Sequence, residues 1–275
     1  MRDLPENPLF RCVWLLVRRY LRHSVGSQSA ALAFYLLFML FPFLIFASSL
    51  LGLLQPDTAA VLRELERLLP REVVELAGMY LRYVGENASV RLLLFGLVFS
   101  VWFPMRAAKT LMGAVRTAYR LGPPRRAVVH TLKAFIYTLL LILTIALTLM
   151  LLSVSSRFLQ RLGLPEAVAQ LWLWLRFPLV AAAGFFALFF LYALAQDRRR
   201  PGRELWPGTL AALAAWLVLS GLYSWYVERV ADYSLLYGSI GAVIVLLIWL
   251  YMSAAVLIMG AELNAVLIGF QKERE

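Results

Sequence analysis

Six long apolar runs constrain the fold of this 275-residue chain more than any other feature of its sequence. A helix needs about 20 mostly apolar residues to cross roughly 30 Å of hydrocarbon, and each run is long enough. The runs are continuous rather than alternating in polarity, which argues against the strands of an outer-membrane barrel. We therefore predict an all-α integral membrane bundle of six transmembrane helices, a single domain over residues 1–275. The predicted spans are 30–54, 92–112, 135–153, 171–195, 205–227 and 239–264.

The distribution of Lys and Arg residues predicts the orientation of the bundle. If the N-terminus is cytoplasmic, the inner connections carry 18 of the 27 basic residues and the outer ones carry nine. Because basic residues concentrate in cytoplasmic loops, both termini are predicted to be cytoplasmic. The net charge of +11 then reflects a basic face beside anionic headgroups, and we expect membrane lipids rather than nucleic acid as partners.

Two segments outside the spans are predicted to be amphipathic. Residues 1–29 should contain a cytoplasmic N-terminal helix in the membrane interface, because residues 9–22 mix apolar side chains with arginines. Residues 55–90 form the one long extracytoplasmic connection, which is predicted to contain two short amphipathic helices separated at Pro70. The single cysteine, Cys12, excludes an internal disulfide and is expected to be a free thiol.

A basic stripe follows the second predicted span. Lys109, Arg116 and Arg120 lie 3, 10 and 14 residues after Arg106, which places all four on one face if the helix continues. One interpretation is snorkelling, in which long side chains reach the inner headgroups and mark the cytoplasmic end. The other is an anion-binding track into the bundle, since the planar fork of arginine binds two oxygens of a phosphate or carboxylate.

The last span ends with a carboxylate and an amide, Glu262 and Asn264, at a depth similar to that of Arg106 and Lys109. A buried carboxylate without a partner would be neutral, whereas one that faces a cation stays ionised. We predict that Glu262 pairs with Arg106 or Lys109 inside the bundle, and that Asn264 adds a hydrogen bond. The pair would either fix the helix register or take part in transport.

Four positions are candidate hinges. Pro42 and Pro104 lie within predicted spans, where a proline removes a helical hydrogen bond and kinks the helix. Gly238 and Gly241 precede and begin the last span, where small residues permit close contact between helices. We assign all four as hinge positions.

Two segments carry a resemblance to a known family. SAALAFYLLFMLFPFLIF at 29–46 and DYSLLYGSIGAVIVLLIWLYMSAAVLIMGAELNA at 232–265 resemble the YihY/virulence factor BrkB family of bacterial inner-membrane proteins. Phe34 stands where family members often carry tyrosine, which loses a hydroxyl. The family pattern falls on Ala33, Tyr35, Pro42, Tyr237, Gly238, Trp249, Tyr251, Gly260, Glu262 and Asn264.

The resemblance implies a six-helix protein of the bacterial inner membrane whose activity is poorly settled. Some members were labelled ribonuclease BN, others are linked to virulence and serum resistance, and one relative is tied to lipopolysaccharide precursor export. A metal-dependent nuclease needs clustered His, Asp or Glu ligands, whereas His23 and His130 are isolated in this sequence. Neither a catalytic constellation nor a glycine-rich phosphate loop is recognisable. We therefore expect no enzyme activity, no metal and no cofactor.

Transport is the predicted function. Kinked spans and embedded basic residues suit a transporter or lipid translocator for an amphipathic anion such as a phospholipid or glycolipid. The alternative is a scaffold that organises envelope proteins without transport, and a homo-oligomer or envelope partner proteins are left open. The predicted substrate-binding residues are Arg106, Lys109, Arg116, Glu262, Asn264 and Tyr35.

Overall fold

A computed structural model describes residues 8–54, 89–124, 126–153, 165–196, 201–230 and 239–274. Within these ranges the chain consists of helices joined by short connections and contains no strand. This confirms the all-α prediction for this part of the chain. A 3₁₀ helix covers Gly202–Glu204. The α-helices are α1 Pro8–Arg22, α2 Val25–Leu54, α3 Val90–Ala118, α4 Ala127–Ser153, α5 Glu166–Leu194, α6 Trp206–Val230 and α7 Ser239–Arg274.

Helices α2 to α7 confirm the six predicted spans, since all six are long and apolar enough to cross a membrane. Several of them extend beyond the predicted limits. Helix α3 continues to Ala118, α4 begins at Ala127, and α7 continues to Arg274. A hydropathy pattern marks only the apolar part of a helix, whereas the backbone hydrogen bonds continue into basic and polar segments.

The chain forms two compact units, one of Tyr35–Pro104 and one of Met1–Phe34 with Met105–Glu275. Residues 55–88 of the predicted extracytoplasmic segment 55–90 lie outside the described residues, and so does the candidate hinge Gly238. The assignment of residues 1–275 to a single domain stays a prediction.

In the unit Tyr35–Pro104, the second half of α2 packs against the first half of α3. A Cβ atom on Gly96 would lie 2.5 Å from the backbone nitrogen of Phe46, so only glycine permits this approach. Aromatic rings extend the contact, with the Phe38 and Phe103 ring centroids 6.2 Å apart. Pro42 lies inside the continuous helix α2.

In the larger unit, α6 and α7 pair along their length through polar side chains. Trp216 Nε1 donates to Ser253 Oγ at 3.1 Å, and Trp249 Nε1 donates to Ser220 Oγ at 3.3 Å. The hydroxyl of Tyr223 donates to the Val245 carbonyl at 2.7 Å. Residues 216, 220 and 223 of α6 bond to residues 253, 249 and 245 of α7, so the two helices are antiparallel. Such hydrogen bonds contribute to helix association in lipid, where apolar burial provides little driving force.

Glycines bring α6 and α7 together at one end of the pair. A Cβ atom on Gly260 would lie 2.5 Å from Ala212 Cβ and 2.6 Å from the Tyr192 hydroxyl. A Cβ atom on Gly208 would lie 2.6 Å from Asn264 Oδ1. Three helices, α5, α6 and α7, therefore meet where no side chain larger than hydrogen fits.

Helix α1 is amphipathic, and it contacts α7. Its outer face exposes Phe10, Val13, Val17 and Leu21, which recur at helical spacing, and Leu21 is 73% exposed. The predicted N-terminal helix is thus confirmed as a helix. Its location in the membrane interface stays a prediction.

Candidate functional site

Glu262 on α7 is fully buried, and it forms two charge-bearing hydrogen bonds with residues of the N-terminal segment. Its Oε2 atom accepts from Arg19 Nη1 at 2.9 Å, and its Oε1 atom lies 2.5 Å from His23 Nδ1. Arg19 Nη1 also donates to the carbonyl oxygen of Ala118 at 3.1 Å. The carboxylate therefore ties α1 to α7, and the same guanidinium reaches the end of α3.

The predicted partners of Glu262 were wrong. Both carboxylate oxygens are occupied by Arg19 and His23, while Lys109 Nζ donates to Thr131 Oγ1 at 3.0 Å and Arg106 is exposed. Helix α1 contacts α7 and supplies both partners of the carboxylate, whereas the prediction considered only cations of the spans. Arg19 and His23 are four residues apart, so their side chains lie on the same side, but this spacing does not indicate that α1 contacts α7.

Asn264 caps α6 rather than assisting Glu262. Its Oδ1 atom accepts from the Gly208 backbone N–H at 2.6 Å, and its Nδ2 atom donates to the Leu205 carbonyl at 2.9 Å. The Gly208 N–H belongs to the first turn of α6, where backbone donors have no partner within the helix. Residues two apart on a helix point to different sides, which explains why Asn264 and Glu262 serve different neighbours.

Arg116 and Lys133 bind the end of α5. Arg116 is 4% exposed; its Nη1 atom donates to the Ala195 carbonyl at 3.1 Å and its Nη2 atom to the Gly122 carbonyl at 2.6 Å. Lys133 Nζ donates to the carbonyls of Leu194 at 3.4 Å and Gln196 at 3.3 Å. Cations at a helix C-terminus satisfy free carbonyls and interact favourably with the helix dipole.

These two side chains belong to a cavity of about 890 Å³ where the end of α3, the start of α4 and the end of α5 meet. Among the residues that the structure describes, its lining contains five basic side chains and no acidic one. We call it the basic cavity. The basic residues are Arg116, Arg120, Arg126, His130 and Lys133.

The connection between α3 and α4 shapes the basic cavity. Arg120 has a φ of 53°, and the Leu121 N–H donates to the Arg116 carbonyl at 2.8 Å, which together form a Schellman ending. Because the chain leaves the helix there, Arg120 does not continue the predicted stripe. The basic cavity is lined by Arg116 and Arg120 but by neither Arg106 nor Lys109, so the expectation that all four lie on one continuing helical stripe was wrong. The choice between snorkelling and anion binding for Arg106 and Lys109 stays open.

The sequence interpretation did not include Arg126, His130 and Lys133 in the site. They lie at intervals of four and three residues, which is the spacing of one helix face, and that pattern was visible in the sequence. The opposite face of the same turns is apolar: Val128, Leu132 and other apolar residues line a shallow groove of about 470 Å³. The first turns of α4 are therefore amphipathic.

The remaining predicted residues lie elsewhere. Tyr35 and Pro42 lie on α2 in the unit Tyr35–Pro104, and Pro104 is the last residue of that unit. Gly241 lies in the first turn of α7. The assignment of Tyr35 and Arg106 as substrate-binding residues, and of the prolines and Gly241 as hinges, stays a prediction.

Comparison with known proteins identifies the relatives of this chain. The model of the family described as Virulence factor BrkB matches residues 16–275. The chain is 34% identical over 260 residues to a Bacillus subtilis (strain 168) protein named ribonuclease-like protein YfkH, covering 92% of this chain and 93% of that protein. No solved structure matches.

More distant relatives carry the name UPF0761 membrane protein. One from Alkalilimnicola ehrlichii is 26% identical over 280 residues and all of this chain, and one from Chromohalobacter salexigens is 27% identical over 94% of it. The chain spans 61% and 63% of the lengths of these two relatives. With a family match over residues 16–275 and six helices able to cross a membrane, the chain belongs to the BrkB virulence-factor family of membrane proteins.

Proposed function

We propose that the chain is a membrane transport protein for an amphipathic anion, and that it binds the anionic group in the basic cavity. The observation that carries the proposal is the convergence of five basic side chains on a cavity of about 890 Å³, whose lining holds no acidic side chain within the described part of the chain. Guanidinium groups bind phosphate and carboxylate oxygens in pairs, and a carboxylate in the lining would have weakened this preference.

The surroundings of the basic cavity suit the headgroup of a lipid. Helix α4 turns its basic face to the basic cavity, and the other face of the same turns exposes Val128, which is 81% exposed, and Leu132, which is 54% exposed. An amphipathic ligand bound at this point has a cationic site for its headgroup and an apolar surface at the same level. The excess of basic residues on the side predicted to be cytoplasmic supports a location of the basic cavity at the cytoplasmic face of a bacterial inner membrane.

The proposal assigns no catalytic residue and no cofactor. Among the described residues, no group of three or more His, Cys, Asp or Glu side chains is placed to hold a metal ion. The name ribonuclease-like belongs to the Bacillus relative. We expect the purified protein to leave RNA intact in the presence of Mg²⁺, and cleavage that a single substitution abolishes would contradict this part of the proposal.

Exchange of a labelled lipid between leaflets tests the transport proposal. Purified protein in vesicles should accelerate the movement of a fluorescent anionic phospholipid, and Arg120→Gln with Arg126→Gln should slow it about three- to tenfold, the range expected for loss of two exposed charge contacts. The control is Arg229→Gln, which removes an exposed arginine in the last turn of α6 that does not line the basic cavity. Exchange no faster than in protein-free vesicles, with several headgroups and with a proton gradient, would contradict transport and favour the scaffold.

A further inference from the structure

We infer that the basic cavity selects a phosphomonoester, the terminal phosphate of a lipid such as phosphatidic acid, over the phosphodiester of a lipid such as phosphatidylglycerol. This inference rests on the proposed function, in which the basic cavity binds the headgroup of the ligand. It names the chemical class of the headgroup from the number and placement of the cations.

The inner wall of the basic cavity carries the positive charge of Lys133, which two backbone carbonyls hold in place. The ammonium of Lys133 is held by the carbonyls of Leu194 and Gln196 at the end of α5. A helix C-terminus carries only about half an elementary negative charge, so these two carbonyls bind the ammonium without neutralising it. The inner wall therefore attracts an anion that enters the basic cavity.

The rim adds two guanidinium groups from either side of the connection between α3 and α4. Arg120 lies in the turn that ends α3, and Arg126 immediately precedes α4; both side chains are exposed and both line the basic cavity. The Arg126 carbonyl accepts the His130 N–H at 3.1 Å, so Arg126 is the N-cap residue of α4. The free N–H groups of the first turn of α4 add the partial positive charge of a helix N-terminus.

Two guanidinium forks can both be satisfied by a phosphomonoester. Each fork binds two oxygens, and a monoester offers three terminal oxygens and a charge of about −1.5 to −2 at neutral pH. On a monoester the two forks share only one oxygen, whereas a diester offers two terminal oxygens and a single charge, so both forks would have to share the same pair. The monoester also balances more of the charge of Arg120, Arg126 and Lys133, and this difference in charge and oxygen number is the basis of the selectivity.

Lipid retention by the full chain tests the selectivity without any measurement of transport. Nanodiscs of zwitterionic lipid doped equally with phosphatidic acid and phosphatidylglycerol are prepared, and the lipids retained by the protein are counted by native mass spectrometry. The wild-type protein should retain phosphatidic acid about three- to tenfold over phosphatidylglycerol. The variant Arg120→Gln with Arg126→Gln should retain both equally, whereas Arg229→Gln should behave as the wild type.

A competition arm distinguishes a lipid from a soluble ligand. Inorganic phosphate that displaces retained phosphatidic acid supports one shared phosphate site, whereas phosphate binding without retention of phosphatidic acid overturns the lipid assignment. Equal retention of the two lipids by the wild type, or a preference that survives in the double variant, overturns the inference. Selective retention without leaflet exchange would leave the site intact and refute transport, so the two failures are distinguishable.

Discussion

Replacing Glu262 by glutamine should release α1 from α7. The substitution preserves the shape of the side chain but removes the charge that faces Arg19 and His23, whose side chains are only 17% and 16% exposed. Breaking a buried ion pair costs about 3–5 kcal/mol, and the partial exposure of both partners places this case near the lower limit. Because the contact joins α1 to the bundle, we expect undocking of α1 rather than loss of the spans.

Cys12 reports on this undocking without an engineered label. It lies two helical turns before Arg19, so it shares the docked face of α1, and it is the one cysteine of the chain. A cost of about 3 kcal/mol raises the undocked population by roughly two orders of magnitude. Because Cys12 is only half-buried in the docked helix, we expect a smaller acceleration of its alkylation, about tenfold at most. The control is Glu204→Gln, which removes a half-buried carboxylate of the 3₁₀ helix.

A double-mutant cycle separates the ion pair from a general loss of stability. If Glu262 and Arg19 are coupled, Arg19→Gln added to Glu262→Gln should cost much less than Arg19→Gln alone. Unchanged alkylation of Cys12 in Glu262→Gln, or full additivity of the two substitutions, would refute the role assigned to this contact.

Three further predictions concern packing, capping and the thiol. Gly260→Ala should destabilise the protein by about 1–3 kcal/mol in a thermal denaturation assay in detergent, because the new methyl group overlaps Ala212 and Tyr192. The control is Gly221→Ala, since nothing lies within 4 Å of the added methyl group there. Equal melting temperatures of the two variants would contradict the packing argument. Asn264→Leu should cost about 1–3 kcal/mol in the same assay because it leaves the Gly208 N–H of α6 without its acceptor. Asn264→Asp, which keeps the acceptor, should cost less, and the opposite order would count against the cap. Partial burial raises the pKa of the Cys12 thiol, so alkylation in the wild type should be slower at neutral pH than for a free thiol and should rise with pH. A rate equal to that of free cysteine at neutral pH would contradict the raised pKa.

The six spans could be predicted because lipid leaves few solutions for an apolar run. Length and composition alone select helices in a solvent that cannot bond the backbone. The ends of the helices could not be predicted in the same way, since α3 and α4 continue through segments rich in basic residues. Where a helix stops depends on local endings such as the positive φ of Arg120, which hydropathy does not detect.

The chemistry around Glu262 was predictable, whereas its partners were not. A buried carboxylate requires a cation, and the sequence offered several arginines and lysines at a similar depth. The choice of Arg19 and His23 depends on how α1 folds back onto α7, which is a tertiary contact. The basic cavity is a similar case, because the spacing of Arg126, His130 and Lys133 is visible in the sequence but their convergence with Arg116 requires the end of α5.

The central claim is that the basic cavity receives the phosphate of an anionic lipid. The most direct test is a cryo-electron microscopy structure of the protein in nanodiscs that contain phosphatidic acid. We expect density for a phosphate inside the basic cavity, within hydrogen-bond distance of Arg120 and Arg126. Ordered phosphatidic acid bound at another place on the protein, with solvent alone between these two arginines, would contradict the claim.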